Sequence, residues 1–69
     1  MKISARNMLP GTVKSVTPGA VNTEVAIEIA KGIEIVSIIT SDSVKRLALA
    51  PGKRAYAVIK ASDVLIGAE

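Results

Sequence analysis

The segment VNTEVAIEIAKGIEIVSIIT, residues 21–40, decides the fold of this chain of 69 residues. In its first half, alternate residues form one face, with polar residues and one alanine between them. That face consists of Val21, Thr23, Val25, Ile27 and Ile29. Alternation with a period of two predicts a β-strand that buries one side. Ala30-Lys31-Gly32 predicts a short turn, so residues 33–40 return as the second strand of a hairpin.

The returning strand carries apolar side chains on both faces. Ile35 and Ile39 alternate with Val36 and Ile38, so neither face is polar. We expect one face to pack on the core and the other to contact a partner subunit.

Toward the N-terminus, residues 12–17 predict another strand. Val13 and Val16 would lie on opposite faces of a regular strand, and a β-bulge between them would bring both to the same face. Before this strand, Pro10-Gly11 predicts a turn or a bulge.

Toward the C-terminus, a short helix is predicted after the hairpin, because Thr40, Ser41 and Asp42 are helix-capping residue types. Val44, Leu47 and Ala48 follow at helical spacing, and Pro51-Gly52 predicts the end of the helix. Residues 54–60 predict a fourth strand. Residues 61–63 interrupt it, and residues 64–66 predict a short closing strand.

These elements form one domain, residues 1–69, in the order β-β-β-α-β-β. The order predicts an all-β fold: a five-stranded OB-like Greek-key barrel with one short helix between strands 3 and 4. Closing the sheet into a barrel would remove its exposed edges.

Composition limits the possible partners. Hydrophobic residues make up 49% of the chain, and the mean hydropathy is +0.44. A domain this small buries only part of its apolar surface alone, so self-association is expected. Charged residues interrupt every apolar run before the about 18–20 residues of a membrane span, and no signal-peptide pattern is present. We therefore expect a cytoplasmic protein with no membrane partner.

Two classes of function are disfavoured. The chain has no histidine and no cysteine, and Lys60 and Ser62 lie two residues apart on an extended segment, so no catalytic residues and no redox cofactor are expected. Single-stranded nucleic acids bind to aromatic platforms, and Tyr56 is the only aromatic residue. An oligonucleotide-binding OB module remains the alternative function, and an oligomer with incidental anion sites is a further one.

Segments rich in hydrogen-bond donors point instead to a small oxyanion, in keeping with the net charge of +3. They are Ser4-Ala5-Arg6-Asn7, residues 18–22, residues 40–43 and Lys60-Ala61-Ser62. A tetrahedral dianion offers only acceptors, so it suits backbone amides, hydroxyls and a cation. The two terminal segments would form one site if the fold brings them together.

Four motifs occur in a fixed order: SARNMLPGTV at residues 4–13, GAVNTEV at 19–25, ITSDSV at 39–44 and IKASDV at 59–64. Together they resemble the molbindins, also called Mop or molybdenum-pterin-binding proteins, of the TOBE domain class. The resemblance covers nearly the whole chain. It implies an OB-like barrel whose subunits pair by exchanging a terminal strand, with three dimers forming a homohexamer.

The resemblance also implies a ligand and its site. Molybdate or tungstate would bind at subunit interfaces as an oxyanion, without direct coordination of the metal, for cytoplasmic molybdenum storage and homeostasis. Carried onto this chain, one class of site consists of Ser4, Ala5, Arg6, Lys60, Ala61 and Ser62. A second class consists of Gly19, Ala20, Val21 and Ser43, with Thr40 as a further member. In this interpretation the two terminal segments meet across a subunit boundary.

Overall fold

The structure is a computed structural model that describes all 69 residues. Four antiparallel strands form one curled sheet in the order β3-β2-β1-β4. The strands are β1 (Asn7–Pro18), β2 (Asn22–Ala30), β3 (Ile33–Thr40) and β4 (Arg54–Ile59), with helix α1 (Ser41–Arg46) and a 3-10 turn (Ala61–Asp63). The predicted all-β character, with one short helix between the third and fourth strands, is confirmed. Neither helix has the length and apolar composition that crossing a membrane requires.

The β2–β3 hairpin follows the sequence pattern closely. Val25 and Ile27 are buried on the predicted inner face, and Ile27 pairs with Ile35 across the hairpin. Gly32 in the turn has a φ of 77°, a backbone conformation that glycine adopts without steric cost. Val21 is the exception, because it precedes the strand and is 72% exposed.

Strand β1 begins earlier than predicted, and the turn or bulge predicted at Pro10-Gly11 does not form. Both residues lie within β1, where Pro10 pairs with Tyr56 and Gly11 with Ala55 of β4. The β1–β2 pairing starts only at Thr12. At Pro10 one side of β1 therefore has no neighbouring strand, and the missing N–H of proline is tolerated there.

The predicted bulge in β1 is confirmed. Val13 pairs with Ile27 and Ser15 with Ala26, which leaves Lys14 as the extra residue. The bulge allows Val13 and Val16 to pack on the same core.

Lys14 projects from the bulge on the outside of the sheet. Its Nζ donates to Glu34 Oε2 at 2.8 Å and lies 3.8 Å from Glu28 Oε2. The hydrogen bond to the Glu34 carboxylate and its negative charge raise the pKa of Lys14, with a smaller contribution from Glu28. Because all three side chains are solvent-exposed, this pairing contributes little to stability.

The core is small for a chain this apolar. Only seven of the 69 residues are buried, and the central cluster is Val13, Val25, Ile27 and Ala57. On the inside of the sheet an apolar groove of about 600 Å³ stays open beside Ile35, Ile39 and Leu49. On the outer face of β3, Val36 is 58% and Ile38 61% exposed. Much apolar surface is thus left without a partner in the single chain.

The predicted fifth strand at residues 64–66 does not form. Val64 is 44% exposed, Leu65 91% and Ile66 88%, and the segment pairs with no strand. The pairing of β4 with β1 ends at Ile59, before the 3-10 turn. A strand needs a neighbouring strand as partner for its backbone hydrogen bonds, and residues 64–66 have none within the chain. This segment therefore does not close the sheet of the single chain.

The helix begins as predicted but ends earlier. Thr40 is its N-cap, whereas the helix stops at Arg46, well before Pro51-Gly52. Ala48 follows in the left-handed conformation with a φ of 53°. Its amide donates to the Lys45 carbonyl, and the Leu49 amide donates to the Val44 carbonyl, each at 3.0 Å. This hydrogen-bond pair is the Schellman motif, in which glycine usually occupies the position that Ala48 holds here.

Replacing Ala48 with glycine should therefore stabilise the fold. The left-handed conformation costs an L-residue about 1–2 kcal/mol, and the extra chain entropy of glycine offsets part of the gain. We expect Ala48→Gly to raise the free energy of unfolding by about 0.5–1 kcal/mol in urea denaturation at fixed protein concentration. The exposed Ala50, whose φ is not positive, provides the control Ala50→Gly, which should be neutral or destabilising. Equal destabilisation by both substitutions would contradict the assignment of strain to Ala48.

Candidate functional site

The pairing of β1 with β4 brings the two terminal segments side by side. Its last pair is Asn7 with Ile59, and Asn7 Nδ2 also donates to the Ile59 carbonyl at 3.2 Å. Beyond this pair the two segments line one surface depression, the terminal depression. Its lining residues are Ile3, Ser4, Ala5, Arg6, Val58, Lys60, Ala61, Ser62 and Asp63. All six residues predicted for the first class of site are among them, so a single chain already brings them together. A subunit boundary at this depression stays a prediction.

The terminal depression is rich in donors that nothing in the chain uses. Arg6 and Lys60 supply two cations, and Ser4 and Ser62 supply two hydroxyls. None of these four side chains makes a hydrogen bond or an ion pair with another protein group. Asp63 is the one carboxylate in the lining.

Backbone amides at the depression add further donors. The 3-10 turn is closed by the Asp63 amide, which donates to the Lys60 carbonyl at 2.9 Å. The amides of Ala61 and Ser62 come before this first turn bond, at the start of a helix, where amides have no intrahelical acceptor. The depression can therefore offer amides, hydroxyls and cations to one small acceptor molecule.

The second predicted class of site also comes together, at the other end of β1. We call its members the turn cluster: Gly19, Ala20, Val21, Thr40 and Ser43. The Gly19 amide donates to the Asn22 carbonyl at 2.8 Å, which closes the β1–β2 turn. The Ser41 amide donates to the Val21 carbonyl at 3.0 Å, which ties this turn to the start of α1.

Hydroxyl groups in and beside the turn cluster are already hydrogen-bonded to one another. Thr40 Oγ1 donates to Ser43 Oγ at 2.8 Å and accepts from the Ser43 amide at 3.1 Å. The buried Thr23 shares a hydrogen bond of 2.9 Å with Ser41. The side chain of Thr40 thus caps the helix.

Sequence reasoning missed three residues near these sites. Asp63 lies in the lining of the terminal depression, although an ionised carboxylate can only accept hydrogen bonds and has the same sign of charge as an oxyanion. Thr23 and Arg46 contact the hydroxyls next to the turn cluster, with Arg46 Nη2 3.5 Å from Ser43 Oγ. The spacing of Ser43 and Arg46, three residues apart on a helix, was the available signal for this last contact.

The two groups of residues are too far apart to form one site in a single chain. The terminal depression adjoins the first residue of β1, Asn7, and the turn cluster follows its last, Pro18. The strand between them has 12 residues, and a strand advances by about 3.3 Å per residue. Each group must therefore act separately or with another copy of the chain.

Comparison with known proteins assigns the family. The model of the TOBE domain matches residues 3–66. The chain belongs to the TOBE domain family. A probable molybdenum-pterin-binding protein of Haemophilus influenzae is 49% identical to it over 69 residues, which span the whole of both chains. The resemblance to the Mop proteins, drawn from the four motifs, is confirmed.

Solved structures of two similar proteins agree with the observed fold. A molybdate-binding protein from Sporomusa ovata is 41% identical, with a TM-score of 0.91 over 99% of this chain and 100% of that chain. The cytoplasmic molybdate-binding protein ModG, in a form with molybdate bound, is 51% identical, with a TM-score of 0.89. The alignment with ModG covers 94% of this chain and 46% of that chain. The TOBE domain described here thus shares its fold over nearly its full length with proteins that bind molybdate.

The capping role of Thr40 can be tested in this TOBE domain. Thr40→Val keeps the shape of the side chain but removes the oxygen that accepts from the Ser43 amide. Losing an N-cap of this kind costs about 1 kcal/mol, so the urea midpoint of unfolding should fall accordingly. Thr17→Val on β1 is the matched control, because Thr17 is exposed and its hydroxyl makes no hydrogen bond in the chain. The capping role would be refuted by equal midpoints for the two variants.

Proposed function

We propose that this chain binds molybdate reversibly and serves as a cytoplasmic store that buffers molybdenum. One observation carries the proposal: six donor residues predicted from opposite ends of the sequence line the same depression. The relatives support the ligand, since proteins of the same family and fold are named for binding molybdate. They do not favour the oligonucleotide alternative, and Tyr56 alone offers no stacking platform.

The chemistry of the terminal depression suits such a ligand. Molybdate is a tetrahedral dianion whose four oxygens only accept hydrogen bonds. Lys60 and Arg6 would balance its charge, while Ser4, Ser62 and nearby backbone amides would donate to its oxygens. No side chain replaces an oxygen on the metal, so the anion can leave intact, as a store requires. Tungstate has the same shape and charge and would bind in the same way.

The turn cluster would form the second class of site. Ala20 and Val21 lie in a turn whose backbone approaches the start of α1 through the Ser41–Val21 hydrogen bond. Ser43 would add its hydroxyl as a donor, and Thr40, whose own hydroxyl donates to Ser43 Oγ, would orient it. In the single chain these residues line no depression. We infer that a second copy of the chain completes this site at a subunit interface.

Self-association follows from the apolar surface that the single chain leaves open. The groove inside the sheet is lined mostly by hydrophobic residues, and the segment Val64–Ile66 is apolar and exposed. Exchange of this terminal segment between two copies would fill the groove, add the fifth strand and close an OB-like Greek-key barrel. Three such dimers would form the homohexamer that the family resemblance implies.

Binding can be tested by isothermal titration with sodium molybdate, sodium tungstate, sodium sulfate and sodium phosphate. Molybdate and tungstate should bind to the wild-type protein more tightly than sulfate or phosphate. Lys60→Ala and Ser62→Ala should each weaken molybdate binding, because losing a hydrogen bond to a charged ligand costs about 1.5–3 kcal/mol. That loss corresponds to roughly a tenfold to hundredfold increase in Kd.

Two matched variants control for charge and for loss of a hydroxyl elsewhere. Lys31→Ala removes a cation from the β2–β3 turn, and Ser15→Ala removes an exposed hydroxyl from β1; neither residue lines the depression. Both should bind like the wild type. Absence of molybdate binding by the wild type would disprove the proposed function. Unchanged molybdate affinity in both Lys60→Ala and Ser62→Ala would exclude the terminal depression as the binding site.

Assembly can be tested by light scattering at micromolar concentration. The wild type should have a mass several times that of the 7.1 kDa chain. Leu65→Asp places a charge in the segment expected to enter a partner's groove, so this variant should shift toward the monomer. Ala68→Asp adds the same charge three residues later and should assemble normally. A wild type that scatters as a monomer would rule out the exchanged segment.

A further inference from the structure

Asp63 does not fit the donor chemistry of the terminal depression. Every other polar side chain in the lining can donate a hydrogen bond, whereas an ionised carboxylate can only accept. Asp63 is exposed and makes no hydrogen bond or ion pair through its side chain. Its amide already closes the 3-10 turn on the Lys60 carbonyl. The turn therefore needs the backbone of Asp63 but not its carboxylate.

We propose that Asp63 sets the affinity and selectivity of this depression for oxyanions, an inference that rests on the proposed molybdate site. The lining holds two cations, Arg6 and Lys60, and one anion. Asp63 lowers the charge of the lining from two positive charges to one. The carboxylate thereby weakens binding of a fully deprotonated dianion and keeps release easy, which suits a store.

The same carboxylate distinguishes oxyanions by their protons. Molybdate and sulfate carry no proton at neutral pH, so Asp63 only repels them. Inorganic phosphate retains at least one O–H group at this pH, and that group can donate a hydrogen bond to Asp63. Asp63 therefore penalises molybdate and sulfate more than phosphate.

Asp63→Asn tests this role, because asparagine has nearly the same shape, carries no charge and can donate. Isothermal titration with sodium molybdate at low ionic strength should show a Kd about threefold to tenfold lower than that of the wild type. This gain in molybdate affinity should shrink in 0.5 M salt, where charges are screened within a few ångströms. The affinity of Asp63→Asn for sulfate should increase by a similar factor, and its affinity for phosphate should increase by less.

Two further variants separate local charge from other causes. Asp63→Glu keeps the charge and should bind molybdate within about twofold of the wild type. Glu69→Gln removes one negative charge outside the depression and changes the net charge of the chain by the same amount as Asp63→Asn. It should also leave the Kd within about twofold of the wild type, because a distant exposed charge is screened.

The outcomes distinguish this inference from the function on which it rests. A wild type that does not bind molybdate overturns both. A wild type that binds molybdate, with Asp63→Asn no tighter than Glu69→Gln, overturns the role of Asp63 alone. An equal increase in the affinity of Asp63→Asn for phosphate and for molybdate overturns the role of Asp63 in selectivity, because only a general effect of charge then explains the result.

Discussion

The pairing of β1 with β4 is the constraint on which the rest of the molecule depends. It runs from Thr12 with Arg54 to Asn7 with Ile59 and so joins the two ends of the chain. The residues that line the terminal depression follow directly from its last pair. Because successive side chains of a strand point to opposite faces, a slip of one residue would turn the apolar face of β4 outward and displace Lys60 relative to Arg6. The core and the candidate site are therefore held in place by the same set of backbone hydrogen bonds.

Local patterns in the sequence predicted the parts of the fold that depend on nearby residues. The β2–β3 hairpin follows from alternation and from Gly32 in its turn, and the start of α1 follows from Thr40 as its cap. The bulge at Lys14 could be predicted because Val13 and Val16 would otherwise lie on opposite faces. The family resemblance assigned the residues of both candidate sites, and the structure brings the residues of each group together.

The errors at Pro10-Gly11 and at residues 64–66 arose where a distant partner, or the lack of one, decides the structure, whereas the error at the end of α1 has a local cause. Pro10-Gly11 has the composition of a turn, but β4 pairs with it and makes it a strand. The helix ends at Arg46 because Ala48 adopts a left-handed conformation, for which its sequence gives no signal. Val64–Ile66 has the composition of a strand but finds no neighbouring strand in its own chain. The composition of a segment indicates which secondary structure it favours, whereas backbone pairing depends on whether a neighbouring strand is available to it.

The position of the terminal depression links binding to assembly in the function proposed here. Lys60, Ala61 and Ser62 lead through one 3-10 turn into Val64–Ile66, the segment expected to enter a second copy. An oxyanion held by Lys60 and Ser62 would restrict the direction in which that segment leaves the turn. Because the bound anion would already order this segment, less conformational entropy of the segment would be lost when two copies associate. In the same way, association would order the segment first, and less entropy would then be lost when the anion binds. Because such coupling is reciprocal, molybdate should tighten the assembly by the same factor by which the assembly tightens molybdate.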